Sequence, residues 1–226
     1  MSNAIEKSCF TTFSQRLPPI PEILDQSFVE IIHKEFVGKA WKPIPETIKN
    51  LIIGKSFKEG AVELKDLAYV QITHINAKGC VLQGELIFHK KLAIEIIKIF
   101  LELFNAKYPI EQVRLIDYYD ANDDLAMKNN CSTALCVRDI LGCSGRYSKH
   151  SFGIAIDINP IFNPYHKGNV VLPLYSEKYL DRELDEPGLI KEDDACHIAF
   201  VSKGYTWGGN WDSLKDYMHF EKDPLV

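Results

Sequence analysis

The chain has 226 residues, of which 46% are hydrophobic and 25% charged, a composition typical of a globular domain with a full core and not of a disordered chain. Its formal net charge of −5, without any block rich in lysine and arginine, argues against a nucleic-acid partner or an anionic membrane. The most apolar stretch, IEIIKIFLELF, contains Lys98 and Glu102, so no transmembrane helix is predicted.

The first 60 residues are predicted to form a helical extension packed on the main body, which spans residues 61–226. Short helical patterns such as ILDQSFVEIIHKEF alternate here with a proline-rich break at residues 18–21. Residues 1–4, Met-Ser-Asn-Ala, resemble a cloning remnant. The lack of a visible signal peptide therefore says little about the compartment.

The middle of the chain shows patterns of strands followed by a helix. LAYVQITHI (67–75) and CVLQGELIFH (80–89) predict two strands joined by a turn. Residues 91–108 carry apolar side chains at helical spacing and predict an amphipathic helix. VRLIDYY (113–119) predicts another strand, and residues 190–205 predict a helix. Together they indicate an α+β fold, with a mainly antiparallel sheet flanked by helices.

The six cysteines form no CxxC pair, which weakens the hypothesis of a structural zinc site. Three of them lie between residues 131 and 143, where a disulfide can form in an oxidising compartment. Buried free thiols are the alternative.

The segment SKHSFGIAIDINP alternates isoleucine with glycine, alanine and aspartate, which predicts a β-strand. The isoleucines form its buried face, and Asp157 stands on the other face beside small residues that leave room for another group. His150 lies an odd number of positions before Asp157, so a straight strand would point the two side chains to opposite sides. The chain must therefore bend near residues 151–153, where a glycine permits it.

The closing segment DYMHFE supplies a second histidine. Alternation places Tyr217, His219 and Glu221 on one face of a strand and the apolar Met218 and Phe220 on the other.

Two histidines and one aspartate form the set of three protein ligands that a catalytic zinc ion requires, with water in the fourth position. His150, Asp157 and His219 are the candidate ligands. Such an ion lowers the pKa of its bound water to about 7. Asp216, three residues before His219, is the candidate general base and is expected on the bend that enters the strand.

These residues carry a resemblance. S-x-H-x-x-G-x-A-x-D (148–157) and D-x-M-H-F-E (216–221) resemble the two zinc motifs of the D-alanyl-D-alanine carboxypeptidase and dipeptidase family, which includes vancomycin-resistance peptidases and phage L-alanyl-D-glutamate endolysins. NN-x-S-x-x-x-C-x-R (129–138), NPY (163–165) and WGGNW (207–211) are similar to one bacterial branch.

The likeness runs from about residue 65 to the C-terminus. It implies the zinc fold shared with hedgehog signalling domains, a Zn²⁺ cofactor held by the three candidate ligands, and an acid/base role for Asp216, where many members have glutamate. The family also uses an upstream arginine to bind substrate and to stabilise the oxyanion. Arg138 is the match in this chain, and Arg146 is the rival.

Other candidates surround this set. Ser148 is expected to fix the loop or the substrate by hydrogen bonding, since no histidine–carboxylate relay activates it as a nucleophile. Glu221 can orient the ring of His219, or it is a solvated carboxylate. Trp207 and Trp211 are either core residues or a wall of the substrate site beside two glycines.

The resemblance implies a zinc peptidase that acts on peptidoglycan stem peptides, with D-Ala-D-Ala carboxypeptidase activity as the first choice and L-Ala-D-Glu endopeptidase activity as the second. A monomer in the periplasm, the extracellular space or the cell envelope is expected.

Two other classes compete. Non-haem iron oxygenases also use two histidines and one carboxylate, but those related to 2-oxoglutarate enzymes typically have one residue between histidine and aspartate and an arginine after the distal histidine. Here six residues intervene, and no arginine follows His219. A non-catalytic zinc-bearing module that binds peptidoglycan would be favoured by a missing base or arginine, and candidates for both are present.

Overall fold

The computed structural model of the protein describes residues 28–224. The strands are β1 (Val29–His33), β2 (Phe36–Trp41), β3 (Leu67–Ile75), β4 (Val81–His89), β5 (Gln112–Val113), β6 (Cys131–Ser132), β7 (Asp139–Ile140), β8 (Cys143–Tyr147), β9 (Ala155–Asp157), β10 (Tyr165–Lys167), β11 (Val170–Leu172), β12 (Thr206–Trp207), β13 (Lys215–Asp216) and β14 (His219–Glu221). The α-helices are α1 (Glu46–Ile52), α2 (Ala93–Asn105), α3 (Asp123–Lys128) and α4 (Ala195–Val201).

The largest sheet is antiparallel and has the strand order β1-β2-β3-β4. Its two long strands, β3 and β4, lie where the sequence predicts them, and the pair runs from Leu67 opposite His89 to Ile75 opposite Val81. Mixed helices and antiparallel sheets confirm the α+β class. The hedgehog-like zinc fold stays a prediction. Within residues 28–224, every helix is too short or too polar to cross a membrane.

The helix predicted for ILDQSFVEIIHKEF is wrong over its described part. From Val29 the chain forms the β1–β2 hairpin, which turns at Lys34 with a φ of 54°. Pairing with β3 explains the difference, because it buries alternate residues of β2, among them Phe36 and Ala40, in the main core. The sheet thus crosses the boundary predicted at residue 60, and the division into two units stays a prediction. Residues 23–27 and the proline-rich break lie outside the described residues.

Helix α2 confirms the amphipathic pattern of residues 91–108 and covers one face of this sheet. Its buried side chains belong to the same core cluster as Val70 of β3 and Phe88 of β4. Gly38 of β2 allows the close approach of the helix, because a Cβ there would collide with Ile97. The apolar face of α2 therefore packs against the sheet and contributes many of the buried side chains of the main core.

Two other predicted elements differ from the structure. The strand predicted for residues 113–119 is limited to β5, and Ile116–Tyr119 form a 3-10 helix whose Asp117 accepts hydrogen bonds from Ser56. The helix predicted for residues 190–205 is shorter and is α4 alone. The chain turns afterwards at Gly204, with a φ of 82°.

A small antiparallel sheet, with the order β12-β14-β9, carries the two zinc-like motifs. Its inner face joins the main core through Ile156 of β9 and Phe220 of β14, and Phe220 stacks on Phe200 of α4 with ring centroids 4.2 Å apart. Burial of this face fixes which side chains point outward.

The cysteine pattern is partly resolved. Cys80 is disulfide-bonded, whereas Cys131, Cys136, Cys143 and Cys196 are free. The disulfide considered between residues 131 and 143 is therefore absent, and two of those three thiols are buried.

The buried histidine of β3 makes the fold sensitive to acid. His74 is 3% exposed, and its Nδ1 lies 2.9 Å from the carbonyl oxygen of Ile110. Burial lowers its pKa from 6.5 to about 4, although the bond to Ile110 opposes the shift. Below pH 6.5 the unfolded chain therefore binds a proton at His74, whereas the folded protein binds this proton only near pH 4. The folded state thus loses stability as the pH falls through this range.

We expect His74→Asn, whose amide can replace the Nδ1 donor, to remove this sensitivity. Between pH 7 and pH 4 the wild type should lose about 3 kcal/mol more free energy of unfolding than the variant. Urea denaturation at a series of pH values measures the difference. If the free energy of unfolding varied with pH in the same way for both proteins, His74 would not be the source of the acid sensitivity.

Candidate metal and catalytic site

His150, the first candidate ligand, lies on a one-turn helix, and the chain bends directly after this helix, as the sequence predicts. Lys149–Phe152 form a 3-10 helix. The Ser148 side chain caps it and accepts a hydrogen bond from the backbone nitrogen of His150 at 3.4 Å. Gly153 ends it with a φ of 65°, and a Cβ there would come within 2.8 Å of Leu67. Glycine is therefore needed both for the bend and for the contact with β3.

Strand pairing brings the other two candidate ligands together. Asp157 of β9 lies directly opposite His219 of β14, and side chains opposite each other in an antiparallel pair share one face of the sheet. The next pair joins Ala155 with Glu221. Because Ala155 is small, it leaves room for Glu221 beside His219. This explains why the face of β9 that carries Asp157 has small side chains.

The three candidate ligand residues form a compact triangle, in which each oxygen of Asp157 faces one imidazole ring. His150 Nε2 lies 3.1 Å from His219 Nδ1 and 3.2 Å from Asp157 Oδ2, and His219 Nδ1 lies 3.0 Å from Asp157 Oδ1. All three residues are buried, and one ligand atom of each lies within 4.8 Å of the others. Two tetrahedral zinc bonds of about 2.0–2.2 Å place their ligand atoms about 3.3–3.6 Å apart, slightly farther than these contacts. The spacing therefore fits one zinc ion.

Hydrogen bonds on the far side of each ring fix which nitrogen faces this triangle. His150 Nδ1 lies 2.6 Å from the carbonyl oxygen of Ala134, and His219 Nε2 lies 3.0 Å from Glu221 Oε2. Because both partners only accept, these nitrogens carry the protons in the neutral rings. The lone pairs of the other two nitrogens then face each other and the Asp157 carboxylate, an arrangement that a cation stabilises.

Without a cation, protons balance this charge. Burial lowers the pKa of His219, but its bonds to Asp157 and Glu221 outweigh that effect and raise it to about 10. Burial raises the pKa of Asp157, and the two imidazoles hold it well below its usual value. The site therefore stabilises positive charge, and zinc would compete with a proton for His219.

Asp216 lies at the end of β13, three residues before β14 begins, close to the bend where the sequence predicts it. Its Oδ1 atom is buried and has no hydrogen-bond partner. Burial raises its pKa to about 7, with His219 lowering it and Asp157 raising it further. Gly208 permits this position, since a Cβ there would lie 2.5 Å from the Asp216 carbonyl oxygen. A carboxylate with a buried, unpartnered oxygen and a raised pKa is a suitable proton acceptor near neutral pH.

The structure separates the two candidate arginines. Arg138 is half-buried, and although burial lowers its pKa, the carboxylates of Asp123, Asp157 and Asp216 outweigh this and raise it. Its charge is thus felt at the site. Arg146 lies on β8, a strand whose residues are all exposed. The position of Arg138 favours it over Arg146 as the substrate-binding arginine, a role that stays a prediction.

The tryptophans also differ. Trp207 is 5% exposed, packs on Phe220 and His197, and donates from Nε1 to the Tyr217 carbonyl oxygen, so it lies in the core. Trp211 is partly exposed, with its ring 5.4 Å from that of His219. Trp211 is therefore the one beside the candidate ligands.

Several residues of the site had no role in the sequence analysis. Asp123 pairs with Arg138, Ser151 Oγ bonds to both the nitrogen and the oxygen of Arg138, and Tyr165 lies opposite Asp216 in the β10–β13 pair. Tyr165 stands in the NPY segment and Ser151 within the first motif, but spacing alone does not indicate their contacts. The carbonyl of Ala134 carries no sequence signal at all.

The carboxylate behind His219 should tune metal affinity. Glu221→Gln keeps a hydrogen-bond acceptor but removes the negative charge, so we expect zinc to bind about tenfold more weakly. Competition with a chromophoric chelator measures the affinity, and Glu192→Gln, at an exposed position, is the control. Equal affinities for both variants and the wild type would show that Glu221 is a bystander.

Comparison with protein families places part of the chain beside a known family. Residues 142–222 match the family described as D-alanyl-D-alanine carboxypeptidase, which confirms the resemblance at the level of that peptidase family. The match covers His150, Asp157, Asp216 and His219 but not Arg138. No curated protein and no solved structure matches the chain.

Proposed function

We propose that this protein is a zinc-dependent peptidase that hydrolyses peptide bonds of D-amino acids in peptidoglycan stem peptides, with D-Ala-D-Ala carboxypeptidase activity as the first choice. The observation that carries the proposal is the triangle of His150, Asp157 and His219, with ligand atoms 3.0–3.2 Å apart. The family match over residues 142–222 supports the same activity.

The residues around the triangle have the chemistry that peptide hydrolysis needs. Zinc at this position supplies a Lewis acid that polarises a carbonyl group and acidifies water. Asp216, with its unpartnered buried Oδ1, accepts a proton from the attacking water and delivers it to the leaving amine. Arg138 donates hydrogen bonds to the carbonyl oxygen as negative charge develops there.

Ser148 acts on this site through the backbone. Its hydroxyl accepts from the His150 nitrogen, and its own nitrogen donates to the Arg138 carbonyl oxygen at 3.0 Å. It therefore joins the segment of the metal ligand to that of the arginine and needs no activation as a nucleophile.

An enzyme is favoured over a non-catalytic zinc module. A module that only binds has no use for a buried carboxylate without a partner, which is costly to maintain. Oδ1 of Asp216 is such an atom, and the charge of Arg138 acts on this carboxylate. An iron oxygenase is disfavoured by the peptidase family match.

We propose the cell envelope as the site of action, because the substrate lies there. The disulfide at Cys80 supports an oxidising compartment.

Incubation of purified muropeptides with the zinc-loaded protein, followed by mass spectrometry, tests the proposal. Loss of one terminal D-alanine from pentapeptides is expected for the carboxypeptidase, whereas release of L-alanine-linked glycan would identify the endopeptidase. Binding without cleavage, at full zinc content, would favour the module. Metal analysis accompanies the assay, and turnover that depends on iron and 2-oxoglutarate would overturn the peptidase assignment.

A further inference from the structure

An acidic residue outside the metal triangle contacts the candidate substrate arginine. Asp123 Oδ2 lies 2.7 Å from Nε of Arg138, and the two side chains are 30% and 31% exposed. The contact is an ion pair and not an aligned hydrogen bond, since Nε of Arg138 has no hydrogen-bond partner, and its half-buried position shields it from water more than a surface pair. Asp123 thus has a defined partner at the edge of the site.

Both partners are carried by anchored backbone. Asp123 begins α3, where the Asn122 side chain accepts from the Leu125 nitrogen at 2.9 Å, and Ala126 packs in a buried cluster with Cys131 and Cys136. These cysteines belong to the segment that leads to Arg138. The helix and the arginine segment therefore form one packed unit.

The backbone of Arg138 is tied to the turn that carries His150. Ser151 Oγ lies 2.9 Å from the Arg138 nitrogen and 2.8 Å from its carbonyl oxygen. Backbone position is thus fixed by Ser151, which leaves the direction of the long, flexible arginine side chain to be decided by its charge partners.

Three carboxylates compete for the guanidinium group. Asp157 and Asp216 act on it electrostatically, but the close contact is with Asp123. Without that contact, the charges left to attract the guanidinium include the metal ligand Asp157 and the candidate base Asp216. A guanidinium drawn to Asp216 would occupy the carboxylate that must accept a proton.

We propose that Asp123 is a positioning residue, which holds the Nε side of Arg138 and so keeps the guanidinium away from Asp216 and available to the peptide. The inference rests on the proposed function and adds a residue to it. Consistent with this, the ion pair with Asp123 is made at Nε of Arg138. The Nη groups are the donors left for a carbonyl or carboxylate oxygen of the substrate.

The adjacent residue offers a matched control. Asp124 lies in the same first turn of α3, is exposed, and has the same charge and the same relation to the helix dipole. We expect Asp123→Asn to lower kcat/KM for muropeptide cleavage by about 10–100-fold, with zinc content unchanged. Asp124→Asn should change it less than about twofold, and Asp123→Glu should restore part of the loss.

A double-mutant cycle separates positioning from a structural role. Affinity for a pentapeptide analogue whose scissile amide is replaced by a ketomethylene group is measured by calorimetry, so that no substrate is consumed and Asp216 stays in place. Asp123→Asn should weaken binding about tenfold when Arg138 is present and should add no further loss when Arg138→Ala is present. Melting temperatures of all variants accompany the cycle.

The outcomes are distinct. Equal weakening with and without Arg138, or equal activity of the Asp123→Asn and Asp124→Asn proteins, would overturn the positioning role while leaving the peptidase intact. If the wild type cleaves no muropeptide, the proposed function itself fails.

Discussion

Replacement of Asp216 by asparagine is expected to lower kcat by about 10²–10⁴-fold, the range typical of a lost general acid–base group. The amide keeps the shape of the side chain but accepts no proton. Since Oδ1 of Asp216 has no hydrogen-bond partner, the substitution breaks no bond at that atom. Zinc content should therefore equal that of the wild type, because the triangle of ligands remains complete.

The measurement is steady-state cleavage of muropeptides together with metal analysis of the same samples. Asp212→Asn, at an exposed position four residues upstream, is the matched control and should retain wild-type activity. Acidification of the wild type should also reduce the rate, because burial raises the pKa of Asp216 and only the ionised carboxylate acts as a base. An Asp216→Asn protein with full activity and full zinc would falsify the assignment of the base.

Removal of a metal ligand is expected to abolish both zinc binding and activity. In His150→Ala, only two of the three ligands remain, and a zinc site with two protein ligands is not among the stable arrangements of this ion. Cleavage should fall below detection at any zinc concentration that keeps the protein soluble. His33→Ala, on the exposed hairpin strand β1, should behave as the wild type.

Stability provides a second measurement for this variant. A ligand that binds only the folded state adds about 4 kcal/mol to the free energy of unfolding at a concentration one thousand times its Kd. Addition of a chelator should therefore lower the melting temperature of the wild type and leave that of His150→Ala unchanged. A wild type whose melting temperature ignores both zinc and chelator would show that no ion joins the triangle.

The strands and the helix with clear periodicity could be predicted from the sequence. Residues 67–75 and 81–89 are rich in apolar side chains between turn residues, and α2 shows one apolar stripe, so local patterns agree with the final environment. The hairpin of β1 and β2 was missed because a helical spacing of apolar residues was also present there. Pairing with β3 decided between the two, and no local pattern contains that partner.

The candidate site shows the same division. His150, Asp157, Asp216 and His219 were identified because each stands in a short motif whose bend or alternation the sequence displays. Their nearness could be expected only through a resemblance, since the strand register that sets His219 opposite Asp157 joins residues far apart in the chain.

The sequence by itself determined the ligand types, the glycine bend after His150 and the apolar face of β14, because these depend on neighbours within a few residues. Only the tertiary structure decided that the Ala134 carbonyl lies behind His150, that Trp207 is core whereas Trp211 lies beside His219, and that Asp123 holds Arg138. Such contacts form between segments that meet through packing of the core, and packing depends on the whole chain at once.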